Sequence, residues 1–100
     1  MYLFTKDGIL SIVAHESKRK MLMVRSPARD DIEHYWPASK IVRTDQRDYR
    51  FRTTLPRETV AKRIAEAVAG IDYTKVKSSA SADRELAYFG VWSIIMGLQD

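Results

Sequence analysis

The sequence predicts an α+β fold: a two-layer sandwich with a mostly antiparallel sheet of about five strands and helices packed on one face. Short β-prone runs joined by tight polar turns dominate the first half of the chain, which is typical of antiparallel strands. Segments with helical spacing dominate the second half. The predicted element order is β-β-β-α-β-β-α-α, and we expect residues 1–100 to form one domain.

The first three strands follow from apolar runs at residues 2–5, 9–14 and 21–25. Asp7-Gly8 separates the first two runs, and Asp-Gly is a strong hairpin signal because glycine accepts the positive φ that such turns require. The sequence therefore predicts a three-stranded meander that opens with a hairpin and has a charged second loop.

Proline marks the start of both internal helices. Ser26 is expected to cap the first helix, with Pro27 at its first helical position, and Pro37 ends it because proline cannot continue the hydrogen-bond ladder. Pro56 begins the second helix in the same way, and Gly70 is its natural stop.

Two further strands are predicted at residues 40–44 and 49–53, separated by a polar turn. Residues 49–53 alternate strictly between uncharged and arginine side chains, as a strand with two different faces does. One face carries Tyr49, Phe51 and Thr53. The other face carries Arg50 and Arg52.

The terminal helix is predicted over residues 81–99, and no charged residue occurs between Leu86 and Gln99. Large apolar side chains cover roughly half its circumference, which is wider than the apolar stripe of about 100° on an ordinary surface helix. These side chains are Tyr88, Phe89, Val91, Trp92, Ile95, Met96 and Leu98. The remaining side carries Gly90, Ser93 and Gly97. We expect Phe89 and Trp92 to be buried, either by the chain itself or by a second copy.

Composition limits the function classes. Hydrophobic residues make up 45% of the chain and charged residues 30%, which is ordinary for a globular protein. The absence of cysteine excludes disulfides and thiolate chemistry. With neither a leader-like opening nor an apolar run long enough to span a bilayer, we expect a soluble, cytoplasmic protein without a membrane partner.

Catalytic chemistry has little support in the sequence. His34 follows Asp30 by one helical turn and could share a metal with it, but two ligands do not make a site. His15 lies beside a charged loop, and the chain has neither a nucleophile elbow nor a glycine-rich phosphate loop. We therefore predict no catalytic residue, no metal ligand and no cofactor, and an enzyme is the least supported class.

The basic residues suggest one kind of binding. The chain carries a net charge of +4, and four arginines could share a sheet face if their strands are neighbours in suitable register. These are Arg25, Arg43, Arg50 and Arg52. Such a face would suit a nucleic acid or another anionic ligand, because arginine presents a planar fork of donors. The alternative is an ordinary solvent-exposed sheet face whose arginines pair with nearby acids and bind no ligand.

The terminal helix suggests self-association. Its apolar face is wide enough to bury one side in the domain and another side in a partner. The predicted interface comprises Tyr88, Val91, Trp92, Ile94 and Ile95. The competing interpretation is that the helix between Pro56 and Gly70 covers the whole face within one chain.

Four motifs are spread along the chain: Asp48-Tyr49-Arg50-Phe51-Arg52, Pro56-Arg57-Glu58-x-Val60, Ile71-Asp72-Tyr73-x-x-Val76-Lys77 and Tyr88-x-x-Val91-Trp92. Together with the opening residues 1–13, they resemble a family of small uncharacterised bacterial proteins of similar length. The resemblance implies a bacterial cytoplasmic protein with an α+β fold, and it carries no activity or catalytic residue. The leading functional hypothesis is therefore a small non-enzymatic binding or regulatory protein, acting through its surface as an oligomer. Nucleic-acid or anionic-ligand binding is the alternative.

Overall fold

The computed structural model describes residues 1–99 and shows an antiparallel sheet with helices, which confirms the predicted α+β fold. The strands are β1 (Tyr2–Thr5), β2 (Gly8–Ala14), β3 (Met21–Ser26), β4 (Val42–Arg43) and β5 (Phe51–Pro56). Their order in the sheet is β1-β2-β3-β5-β4. The helices are α1 (Arg29–Tyr35), α2 (Arg57–Ala69), α3 (Val76–Ser79) and α4 (Ala82–Met96), and a 3-10 turn follows at Gly97–Gln99.

The hydrophobic core lies between one face of the central strands and the helices α1 and α2. Leu10 and Val24 point from β2 and β3 toward this layer, where they meet Ile32 of α1 and Val60 of α2. Burying a side chain of this size stabilises the fold by about 1.5–3 kcal/mol. The core therefore holds α1 and α2 on one face of the sheet, as the two-layer prediction requires.

The predicted hairpin is present, but Gly8 has a different role in it. Gly8 pairs with Thr5 as the first residue of β2, and no residue from 1 to 99 has a positive φ. A glycine is needed at position 8 because the Asp31 side chain packs directly against it. A Cβ there would stand 2.8 Å from both Cβ and Cγ of Asp31, closer than real side chains approach. The prediction of a positive φ at this glycine is therefore wrong.

The start of α1 also differs from the prediction. Ser26 remains in β3, where it pairs with Phe51 of β5. Its hydroxyl donates to the carbonyl oxygen of Ile9 at 2.8 Å and accepts from the backbone N–H of Ala28 at 3.2 Å. Because the sheet holds Ser26, the helix begins later, at Arg29, with Ala28 as its N-cap residue.

Helix α4 lies outside the sheet–helix core. Its main packing partner is α3, and its contacts with α2 are few at most. Trp92 is 44% exposed and Phe89 is 51% exposed, so the prediction that both are buried is wrong for a single chain. The short helix α3 has no counterpart in the predicted element order. It contributes Lys77, whose ammonium lies 4.2 Å from the centre of the Trp92 ring.

Candidate functional site

A buried ion pair fixes the first turn of α4 to the rest of the protein. Asp31 of α1 is 1% exposed, and Arg84 of α4 reaches it with both terminal nitrogens. One carboxylate oxygen of Asp31 also accepts the backbone N–H of Ile9 at 2.8 Å. The hydrogen bonds that Arg84 donates to the Asp31 carboxylate raise the pKa of the Arg84 guanidinium above its usual value. These contacts join α1, the β1–β2 hairpin and α4 at one point.

Tyr88 lies one turn further along α4 and is buried against Phe4 of β1. The two rings meet edge to face, with their centres 6.4 Å apart. Burial raises the pKa of the Tyr88 hydroxyl against the opposing effect of the nearby Arg84 guanidinium, and the hydroxyl makes no hydrogen bond of ordinary geometry among residues 1–99. The hydroxyl therefore does not stabilise the fold at neutral pH, because a buried polar group without such a bond keeps its desolvation cost.

Replacing Tyr88 with phenylalanine should change stability mainly at high pH. The pKa of Tyr88 is higher in the folded protein than in the unfolded chain. The resulting stabilisation is therefore present below the unfolded pKa of about 10 and is lost as the pH rises through the folded value. Urea unfolding at about pH 7 and about pH 11 measures this. Tyr88→Phe should lose less stability between the two than the wild type, and an equal loss would contradict the assignment.

Most of α4 beyond this anchor is an apolar surface in contact with water. Six large apolar side chains of α4 and the 3-10 turn that follows it are between 44% and 82% exposed. They are Leu86, Phe89, Trp92, Ile94, Ile95 and Leu98, here called the α4 apolar surface. Exposed patches of several hundred Å² usually mark interaction sites.

A strip of small residues runs along the solvent side of α4. Gly90, Ser93 and Gly97 are all exposed, and a Cβ added to either glycine would meet nothing within 4 Å. At 100° per residue, Phe89 and Ile94 flank this strip on either side. The strip is thus a shallow groove between two apolar ridges, where the backbone of another helix could approach closely.

The structure revises the predicted interface. Tyr88 is buried against its own chain, so it cannot contact a partner. Val91 is half-buried, so only part of its side chain can do so. Trp92, Ile94 and Ile95 are exposed, as an interface requires. Sequence reasoning left out Leu86 and Leu98, although both lie at the ends of the charge-free run.

The four arginines do not share one face of the sheet. Arg25 and Arg52 are direct cross-strand partners of β3 and β5, and so lie on the same face, opposite the core. Arg43 pairs with Phe51 and therefore lies on the other face. Arg50 precedes β5 and is exposed. The predicted single arginine-rich face is therefore wrong as an arrangement of all four residues.

Three of these arginines contact side chains of the same chain. Arg52 is 9% exposed and donates to a carboxylate oxygen of Asp48 at 3.2 Å. Arg25 donates to the hydroxyl of Ser11 at 2.6 Å, and its guanidinium lies 4.9 Å from the centre of the Tyr49 ring. Arg43 pairs with Asp45 at 2.8 Å. Because three of the four arginines already have partners, the anion-binding hypothesis stays a prediction with weaker support.

His34 contacts Asp7 rather than Asp30. Its Nε2 lies 3.4 Å from a carboxylate oxygen of Asp7, at the edge of a cleft of about 310 Å³. Among residues 1–99, no three histidine, aspartate or glutamate side chains come together as a metal site. No hydroxyl in that part of the chain hydrogen-bonds to His34, so the pair lacks an adjacent nucleophile.

The fold and surface describe a small α+β protein whose terminal helix presents an uncovered apolar surface. The chain matches no protein-family model, no curated protein and no solved structure. The resemblance to small bacterial proteins therefore stays a prediction. None of the helices within residues 1–99 has the length and apolar character needed to cross a bilayer.

Proposed function

We propose that the protein is a small non-enzymatic binding protein, cytoplasmic and bacterial, that acts through its surface as a homodimer joined by the α4 apolar surface. The observation that supports the proposal is the exposure of large apolar side chains along a helix with no charge after Glu85. The chain's own core leaves this surface in water. A second copy would supply the missing cover and bury the same surface on both chains, as a two-fold interface does.

The size of the α4 apolar surface favours a second copy. Large apolar side chains each present roughly 150–250 Å², so at their observed exposure these residues offer on the order of 700 Å². A specific interface of ordinary size buries about 800 Å² on each partner. The sum is of that order, but the six side chains point around the helix, so a single interface buries those on its own side and the rest of its area comes from neighbouring residues.

The shape and charge of α4 favour the same partner. Two helices pack with their axes about 8–10 Å apart, and small residues at the crossing allow the shorter distances. Gly90 and Gly97 provide such a crossing, with Phe89 and Ile94 as ridges that fit against the groove of the partner. The absence of charged side chains from Leu86 to Gln99 suits an identical apolar surface better than a nucleic acid, whose phosphates require cations.

Replacing Ile94 with glutamate should weaken the dimer by at least about 100-fold, because a carboxylate would be buried in an apolar interface without a partner. The dissociation constant is measured by sedimentation velocity over a dilution series. Val68→Glu is the matched control, since Val68 is also an exposed apolar residue but lies on α2.

The control should dimerise as the wild type does, and circular dichroism should show an intact fold in both variants. An unchanged dissociation constant for Ile94→Glu would contradict the proposed interface. If Val68→Glu weakened the dimer as much as Ile94→Glu does, the interface would not be confined to the α4 apolar surface.

A further inference from the structure

A cleft beside the end of α1 has the dimensions of a ligand site. It lies between the β1–β2 turn, the end of α1, the second half of α2 and the connector that follows α2. Its volume of about 310 Å³ falls at the lower end of the range for small-molecule pockets. One wall is apolar and is formed by Leu3, Ile64, Ala67, Val68 and Ile71.

Arg63 supplies a fixed cation to this cleft. Its Nε donates to the carbonyl oxygen of Tyr35 at 3.1 Å, and its guanidinium lies 4.8 Å from the centre of the Tyr35 ring. No carboxylate lies within 4.0 Å of Arg63 among residues 1–99. The two terminal nitrogens therefore keep their donors for a ligand, in the fork geometry that suits a carboxylate.

Lys6 supplies a second cation without an acidic partner. Its ammonium lies 5.9 Å from the centre of the Tyr73 ring, and no carboxylate within the described residues pairs with it. Of the two acids in the lining, Asp7 is engaged by His34, which leaves Glu66. The cleft thus has two cations without acidic partners and two acids in its lining, so it offers donors to a carboxylate but no net positive charge to attract a dianion.

We propose that this cleft binds small organic monocarboxylates with a short apolar or aromatic body. Arg63 receives the carboxylate, the apolar wall receives the body, and Lys6 adds a charge contact from the turn. A doubly charged phosphate fits less well, because Asp7 and Glu66 line the same cleft and would repel it. The cleft shares no residue with the α4 apolar surface, so this proposal stands apart from dimerisation.

Titration with benzoate tests the proposal, with the imidazole signals of His34 and the ring signals of Tyr73 followed by NMR. We expect saturable shifts with a dissociation constant in the millimolar range, in line with the affinity limits for ligands of this size. Benzyl alcohol retains the aromatic body without the charge, and inorganic phosphate retains charge without the body. Both should bind at least about tenfold more weakly, which corresponds to one lost charge contact.

Arg63→Met should weaken benzoate binding by at least about tenfold, because it removes the carboxylate partner but keeps an apolar stem of similar length. Lys62→Met is the matched control, since Lys62 is an exposed neighbour on α2 that does not line the cleft. Lys6→Met gives a second, independent loss of binding without altering α2. Absence of saturable shifts in the wild type would overturn the proposal. So would equal binding of benzyl alcohol, or unchanged binding in both Arg63→Met and Lys6→Met.

Discussion

Replacing Arg84 with methionine should lower the free energy of unfolding by about 3–5 kcal/mol, because it leaves the Asp31 carboxylate buried without its ionic partner. Asp31 is 1% exposed and would retain only the N–H of Ile9 and a long contact to Ser26. A loss of this size is a large share of the stability of a small domain. Urea unfolding at neutral pH measures it.

The matched control is Arg29→Met, which removes an arginine from an ion pair on the surface. Arg29 donates to Glu33 at 2.7 Å, but both side chains are largely in water. Exposed pairs of this kind contribute at most about 1 kcal/mol. Similar losses from Arg84→Met and Arg29→Met would show that burial of Asp31 does not govern the energy of its ion pair.

Gly8→Ala should cost about 1–3 kcal/mol, because the added methyl group overpacks a filled site. It would stand 2.8 Å from Cβ and Cγ of Asp31, a side chain held by Arg84 and by the N–H of Ile9. Asp31 must move to accept it and would strain both hydrogen bonds. Thermal and urea unfolding of the purified variant give the measurement.

Gly90→Ala provides the comparison for Gly8→Ala. A Cβ at Gly90 meets nothing within 4 Å, and alanine is more favourable than glycine in a helix by up to about 1 kcal/mol. At protein concentrations low enough to keep the chain monomeric, Gly90→Ala should therefore be neutral or stabilising. Equal destabilisation by the two substitutions would contradict the close contact between Gly8 and Asp31.

The strands and the second helix were predictable because their signals are local. The alternation of Phe51 and Thr53 against Arg52 places them on opposite faces, as observed, since successive side chains of a strand point to opposite sides. Gly70 ends α2 as expected, and Pro56 precedes it directly, as the last residue of β5 and the N-cap of α2 rather than its first helical residue. Each of these predictions depends on residues only a few positions apart.

The ion pair between Asp31 and Arg84 was not predictable in this way. The two residues are separated by 53 positions, and nothing in either local pattern distinguishes them from the other acids and bases of the chain. The prediction that the four arginines share one sheet face was wrong for a related reason. Whether Arg43 joins Arg52 or opposes it depends on the register of β4 against β5, and shifting that register by one residue reverses the face.

For α4, the sequence predicted the width of the apolar face but not what covers it. The same pattern is compatible with burial under α2 and with burial under a second chain. The structure removes the first possibility, because α2 packs over the sheet core and leaves Leu86, Ile94 and Leu98 in water. What covers the α4 apolar surface is the central question about this protein.

Sedimentation equilibrium of the wild-type chain at micromolar concentrations answers that question most directly. A two-fold dimer through the α4 apolar surface predicts a mass twice the 11.5 kDa of one chain, falling toward the single-chain mass on dilution. A single-chain mass over the whole concentration range would contradict the proposal that a second copy covers this surface.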